Sequence, residues 1–297
     1  MKPQRVSIII TTYNKPDELI FALKSLLNQT RLPNEIIVAD DGSHKETGEA
    51  MRSFCKEREV PIPIIRVWQE DVGWRLARSR NNAIAVASGD YLIELDGDCF
   101  VERHFVEDHL YFAKKKRYVG GRRVQVKKRL KEKILKLDEA KITPFTLGIY
   151  RRFYAIRSLT LARLCSKERP PKENEKVSDN FRRGIQGTNF AFWREDAIAV
   201  NGFNEFFQMW GPEDVEFAQR LELNGATRFI MSQYGLAYHF RHSKAARASE
   251  NEKIRPNTPA YLESLESESR CKNGVDRAIE HAKAFVRPEK GFVQFDF

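Results

Sequence analysis

No apolar run in the chain approaches the roughly 18 consecutive residues that a membrane-spanning helix needs. The opening residues, MKPQRVSIII, lack the basic, apolar and small-residue order of a secretory signal, so a cytoplasmic location is the expectation. The four cysteines, Cys55, Cys99, Cys165 and Cys271, are too scattered for a CxxC metal knuckle or a disulfide framework and read as thiols of a reducing compartment. Sixteen glycines without a period exclude a collagen-like chain, and 41% hydrophobic residues supply the core that a disordered chain lacks. Missing too are GxGxxG, GxxxxGK[ST] and GxSxG, so the usual dinucleotide site, P-loop and hydrolase nucleophile elbow have no support. What remains is a globular chain of 297 residues, enough for one large or two small domains at about 150 residues each.

Positive charge is in excess, 51 Lys and Arg against 41 Asp and Glu, and it is unevenly placed. Residues 114–183 hold 23 basic and 7 acidic residues, a net of +16, which leaves 28 minus 34, or −6, for the rest. Within that stretch FTLGIYRRFYAIRSLTLARLC, from Phe145 to Cys165, mixes aromatic, aliphatic and Arg residues at roughly helical spacing. Such a segment either lies on an anionic membrane or packs as a core helix with a solvated basic face. A polar loop, RPPKENEKVSD, follows.

The first hundred residues alternate between two periodicities. Val6 to Ile10, Ile36 to Ala39, Ile62 to Val67 and Tyr91 to Leu95 are short apolar runs. Between them, helices are expected from Pro16, over Thr47 to Arg58 and over Leu76 to Ala87. Strands separated by helices build an α/β fold with a mainly parallel sheet covered on both faces, whose ligands gather at the carboxyl ends of strands. A later aromatic stretch includes Phe190, Phe192, Trp193, Phe203 and Phe207, and a helical pattern from Tyr261 to Ala284 precedes an aromatic tail.

Three carboxylate clusters fall where such a sheet puts its ligands. Asp96-Gly97-Asp98 follows the run Tyr91 to Leu95, and Asp40-Asp41-Gly42-Ser43 ends the run from Ile36 in the same way. Oxygen ligands suit Mg2+ or Mn2+, which bridge nucleotide phosphates. The third cluster, Trp210-Gly211-Pro212-Glu213-Asp214, opens a helix, where acidic residues also serve simply as first-turn partners of the dipole. Two other classes compete. A sugar-phosphate nucleotidyltransferase or similar metal-dependent nucleotide-sugar enzyme needs a Gly-rich phosphate loop, and TTYNKPDE contains no Gly. A nucleic-acid or polyanion binder using the basic segment leaves the carboxylates unexplained.

Taken in order, VSIIITTYN, ADDGS, Arg80-Asn81, Gly89-Asp90-Tyr91 and Asp96-Gly97-Asp98 resemble the nucleotide-binding half of family 2 glycosyltransferases with the GT-A fold. Residues Gly187 to Leu223 resemble the acceptor half of bacterial chondroitin-polymerase-like and β-1,4-galactosyltransferase-like enzymes, with Pro212 where a second Gly is usual. The resemblance implies a GT-A (Rossmann-like) sheet divided into a nucleotide-sugar half over 1–112, a basic, partly helical insertion over 113–183, an acceptor and catalytic half over 184–245 and a C-terminal helical extension over 246–297. It implies UDP-sugar as donor and Mn2+ or Mg2+ as metal. Thr11, Tyr13, Asp41, Arg78 and Asp96 would bind the nucleotide, with Arg75 and Arg80 as alternatives to Arg78. Asp98 and His239 would hold the metal, with His242 as a rival ligand. Asp214 would be the catalytic base with Glu213 beside it, and Trp210 the acceptor platform. Implied partners are a glycan or lipid-linked glycan acceptor and an anionic membrane surface on the inner face of the cytoplasmic membrane; the implied role is inverting transfer in bacterial polysaccharide or lipopolysaccharide assembly.

Overall fold

The computed structural model describes residues 2–126, 128–137, 187–208, 211–231, 234–240 and 268–297. Among these, strands β1 (Val6–Thr12), β2 (Glu35–Asp40), β3 (Pro63–Trp68) and β4 (Tyr91–Asp96) alternate with helices α1 (Pro16–Leu27), α2 (Lys45–Arg58) and α3 (Leu76–Val86). Each expected strand is present and runs one or two residues further, to Thr12, Asp40, Trp68 and Asp96 respectively. Next come β5 (Cys99–Val101), α4 (Phe105–Phe112), β6 (Arg117–Gly120), β7 (Arg123–Val126) and α5 (Lys128–Leu135). The later chain adds β8 (Asn189–Trp193), α6 (Arg194–Ala199), α7 (Glu213–Leu223), β9 (Thr227–Ile230), β10 (Ala237–Phe240), α8 (Val275–Ala282) and β11 (Gly291–Asp296). The basic helix pattern Phe145 to Cys165 lies outside the described residues, as do Trp210 and His242.

Eight strands form one sheet in the order β11-β3-β2-β1-β4-β8-β6-β9. From β11 to β4 all neighbours are parallel, whereas β8 runs antiparallel to both β4 and β6. Strand alternation divides the core between the two faces. In β1, Ile8 and Ile10 face the cluster containing Leu19, Leu23 and Met51, and Ile9 faces the one containing Ala77, Ile84 and Phe217. Helices α1, α2 and α4 thus cover one face, and α3, α6, α7 and α8 the other. The run of consecutive apolar residues that makes β1 look featureless is what burial on both faces demands.

A second sheet, β5-β10-β7, packs on α1 through Phe21, Phe100 and Phe240. The C-terminal part behaves differently from the sequence expectation. Of the helical pattern expected from Tyr261 to Ala284, residues 261–267 lie outside the described residues; among the described ones the helix occupies Val275–Ala282, and the aromatic tail is an edge strand, β11, in register with β3 from Gly291↔Pro63 to Asp296↔Trp68. In that short strand Val293 and Phe295 join the α3 side of the core while Phe292 packs on the other face.

Candidate active site

The order of the sheet reverses at β1, whose neighbours are β2 and β4, so a crevice opens at the carboxyl ends of these strands. Thr11 pairs in register with Asp96, and the turn after β4 is pinned when the Gly97 N–H donates to the Thr11 carbonyl at 2.7 Å. A Cβ on Gly97 would lie 2.8 Å from that oxygen, which accounts for glycine between the two carboxylates.

The paired aspartates after β2 have different tasks. Asp40 is fully buried and accepts from Arg66 Nε at 2.8 Å and the Ser43 N–H at 2.7 Å, which makes it a structural anchor of the turn. Asp41 faces the crevice, its oxygens accepting from Gln69 Nε2 at 2.6 Å and the Arg75 N–H at 2.9 Å. Burial pushes its carboxyl up to about 6, although those two donors pull the other way. Tyr13, 47% exposed, stands beside it and donates its hydroxyl to Asp71. The Thr11 hydroxyl is committed to Asp96 Oδ1 at 3.1 Å.

Asp96, Asp98, Cys99 and His239 each offer an atom within 4.8 Å of the others, although His239 is 140 residues from Cys99 in sequence. The antiparallel register of β10 on β5 places His239 directly opposite Cys99. Gln125 Oε1, on β7, lies 3.0 Å from His239 Nδ1; as acceptor it orients Nε2 toward Asp98 Oδ1, 3.2 Å away. Burial would push the Asp98 carboxyl up, but the His239 hydrogen bond, its charge and the Lys15 ammonium outweigh this and hold it well below the usual carboxylate range. Lys15 Nζ donates to Asp98 Oδ2 at 2.8 Å and so stands where a cation is wanted. Two aspartates, an imidazole and a cation already drawn to them fit Mn2+ or Mg2+. Cys99 fits less well, because burial pushes its thiol well above its ordinary value and keeps it neutral.

The helix start Glu213-Asp214 meets this cluster through two consecutive residues. Gly187 N–H donates to Asp214 Oδ2 at 2.8 Å, and the Thr188 hydroxyl donates to Asp96 Oδ2 at 2.7 Å. Burial raises the Asp214 carboxyl, with the Asp96 charge acting in the same direction. Beneath them Arg80, buried on α3, lies 3.1 Å from Glu94 and donates to Glu213 at 2.9 Å, with its guanidinium 5.0 Å from the Phe203 ring centroid. Burial pushes Glu213 up to about 7 against the pull of Arg80, and Glu94 up to about 8. A Cβ on Gly187 would come within 2.5 Å of Arg80 Nη2, so glycine is the residue that admits this ion-pair layer.

The structure therefore brings Asp96, Asp98, His239, Glu213 and Asp214 together and sets Thr11, Tyr13 and Asp41 along the same crevice. Arg78 lines a separate cavity with Arg75. Glu94, Lys15, Thr188 and Gln125 were not anticipated. Glu94 alone carried a sequence signal, as a carboxylate inside an apolar strand; the other three are identified only by long-range pairing.

A family model for glycosyl transferase family 2 matches residues 7–197, and one for the N-terminal domain of galactosyltransferase matches residues 174–243. The hyaluronan synthase of Pasteurella multocida is 31% identical over 245 residues, 79% of this chain and 24% of that protein. The chondroitin synthase of Escherichia coli is 28% identical over 256 residues, 79% of this chain and 34% of that protein. The chain thus spans about a quarter of the first relative and about a third of the second. Among solved structures, GalNAc-T7 with UDP, GalNAc and Mn2+ superposes with a TM-score of 0.60 at 16% identity over 89% of this chain and 48% of that one. The mannosyltransferase PcManGT of Pyrobaculum calidifontis, with GDP-Man and Mn2+, gives 0.54 at 17% identity over 96% and 74%. These likenesses identify the fold as GT-A. On the family match and the carboxylate crevice together, the chain belongs to glycosyl transferase family 2 and resembles the chondroitin polymerases within it.

Proposed function

We propose that the protein is an inverting, metal-dependent transferase that moves a hexose or N-acetylhexosamine from a UDP-sugar to a glycan hydroxyl in bacterial surface polysaccharide or lipopolysaccharide assembly. The observation that carries this reading is the bridge at Gly187 and Thr188, which ties the candidate base Asp214 to the candidate metal-side carboxylate Asp96. Asp41 accepts the N3 proton of uracil, with Thr11 also at the base, Tyr13 on the nucleotide beside them and Asp96 near the ribose. Asp96, Asp98 and His239 would hold Mn2+ or Mg2+, which supplies charge neutralisation for a leaving diphosphate. Asp214, with its carboxyl raised toward neutrality, takes the proton of the acceptor hydroxyl. The freed oxygen attacks the anomeric carbon on the face opposite the diphosphate, whose bond to that carbon breaks as the electron pair leaves with UDP, so configuration inverts. Glu213, held by Arg80, lines the acceptor or donor-sugar pocket, and Trp210 is the platform for the acceptor ring. The basic segment 114–183 would hold the enzyme at the inner face of the cytoplasmic membrane.

The test is a donor panel of UDP-galactose, UDP-glucose, their N-acetyl forms and GDP-mannose, with Mn2+ or with a chelator. Turnover of a UDP-sugar that the chelator abolishes is expected, with a β-linked product from an α-linked donor by NMR. Turnover of GDP-mannose alone, or a retained anomer, would overturn the reading.

A further inference from the structure

The strap Gly187-Thr188, which holds Asp214 and Asp96, runs directly into Asn189, the first residue of β8. Asn189 is fully buried, and its side-chain amide is engaged at both ends. Its Nδ2 donates to the Gly235 carbonyl at 2.7 Å and to the Arg122 carbonyl at 3.3 Å. Carbonyls only accept, so the amide has one orientation, and its Oδ1 takes the proton of His109 Nε2, 2.9 Å away. His109, on α4, is as deeply buried, and that burial pushes its imidazole down to about 4 and keeps it neutral. The neighbouring Asp108 accepts the Gly235 N–H at 2.8 Å, so one glycine is gripped through both its N–H and its carbonyl. A Cβ on Gly121 would lie 2.3 Å from the Asn189 amide, and one on Gly235 would meet Met231 Cε at 2.5 Å and His109 Nε2 at 3.4 Å. Glycine at these two positions leaves the room that the amide and the imidazole fill.

What this amide joins matters more than its burial. The Arg122 carbonyl also accepts from the Ala237 N–H at 3.1 Å, two residues before His239, and the next residue, Arg123, donates to the Thr188 hydroxyl at 3.1 Å. One buried side chain therefore touches the strap that holds the proposed base and the β6–β7 turn and Gly235 loop that deliver β10 with the proposed metal ligand. Among the described residues no hydrogen bond joins it to Thr11, Tyr13 or Asp41, whose partners lie elsewhere. Buried amide networks of this kind specify one arrangement, and a displacement of about 1 Å between reacting groups can cost about 10² in rate.

We propose that Asn189, oriented by His109, is a positioning residue that fixes the Gly187-Thr188 strap against β10 and so sets the base and the metal ligands at one mutual geometry; the inference rests on the transferase reading above. Asn189→Ala removes the amide, His109→Met removes only its donor and serves should the first variant fail to fold, and His109→Gln returns an amide donor toward Asn189 Oδ1. In the first two, kcat for UDP-sugar transfer is expected to fall at least about tenfold while metal-free UDP affinity stays within about twofold. His109→Gln should recover most of the rate. Hydrogen exchange followed by mass spectrometry, without substrate, should show faster exchange over residues 187–193 in the first two variants and unchanged exchange over 6–12. A kcat within about threefold of the unaltered chain in folded His109→Met, or no recovery in His109→Gln, would overturn the proposal. So would equal losses of kcat and UDP affinity, which mark a purely structural part. Absence of turnover in the unaltered chain would instead contradict the transferase reading. The exchange arm then decides alone, unchanged protection of 187–193 counting against positioning and lost protection supporting it.

Discussion

The strands β1, β2 and β4 and the later elements β8, β10 and α7 deliver site residues by different means. In the first group a carboxylate or hydroxyl sits where an apolar strand stops, so Thr11, Asp41 and Asp96 reach one sheet edge because parallel neighbours end together. In the second group, position depends on partners far along the chain. His239 is aligned by β5 and Gln125, and Asp214 by the Gly187 N–H. On the proposed function the first half would supply the nucleotide edge, and the second the groups that complete a metal site and a base.

That contrast can be sharpened by variants on either side. The largest effect is expected for Asp214→Asn: transfer falls by about 10² to 10⁴ while UDP affinity is retained, because a base acts on the acceptor proton and not on the nucleotide. Rates within a few fold of the unaltered enzyme would move the base to Glu213. The seam between the halves is tested by Arg80→Met, which leaves Glu94 and Glu213 buried without their cation and should cost about 3–5 kcal/mol in urea unfolding. A loss below about 1 kcal/mol would show that the ion-pair layer contributes little.

On the nucleotide side, uridine is the better probe of Asp41, because the phosphates of UDP titrate in the same range. With a carboxyl at about 6, uridine affinity should fall roughly tenfold between pH 7 and pH 5 as Asp41 gains a proton and ceases to accept from N3, and Asp41→Asn should flatten the profile. The sign for folding is opposite: a carboxyl raised in the folded state contributes stability at low pH that is lost as pH rises through about 6. The smallest effect is expected for Lys15→Met. Removing the cation that rests on Asp98 should tighten Mn2+ binding without nucleotide by about fivefold, measured by electron paramagnetic resonance, on the scale of about 1 kcal/mol for a partly exposed pair.

The same contrast decides how much was legible from residues alone. Strand ends can be read locally, since an apolar run followed by Asp-Asp-Gly or Asp-Gly-Asp marks both the element and its carboxylates, and a first turn rich in acid marks α7. His239 was legible only through family resemblance, because nothing around Tyr238-His239-Phe240 shows that β10 will lie against β5. Arg80 carried no mark separating it from Arg75 and Arg78. Its difference lies in burial between Glu94 and Glu213, the latter 133 residues away, while Arg75 and Arg78 turn to the other cavity. The tail strand β11 was missed because its apolar residues face both sides of the sheet, so a six-residue segment shows no clean alternation.

The central claim is that the two halves meet in one metal-dependent nucleotide site, and calorimetry of UDP with and without Mn2+ on the unaltered chain and on Asp98→Ala tests it most directly. Mn2+ should tighten UDP binding to the former and add nothing for the latter; metal-dependent affinity undiminished in Asp98→Ala would contradict the account.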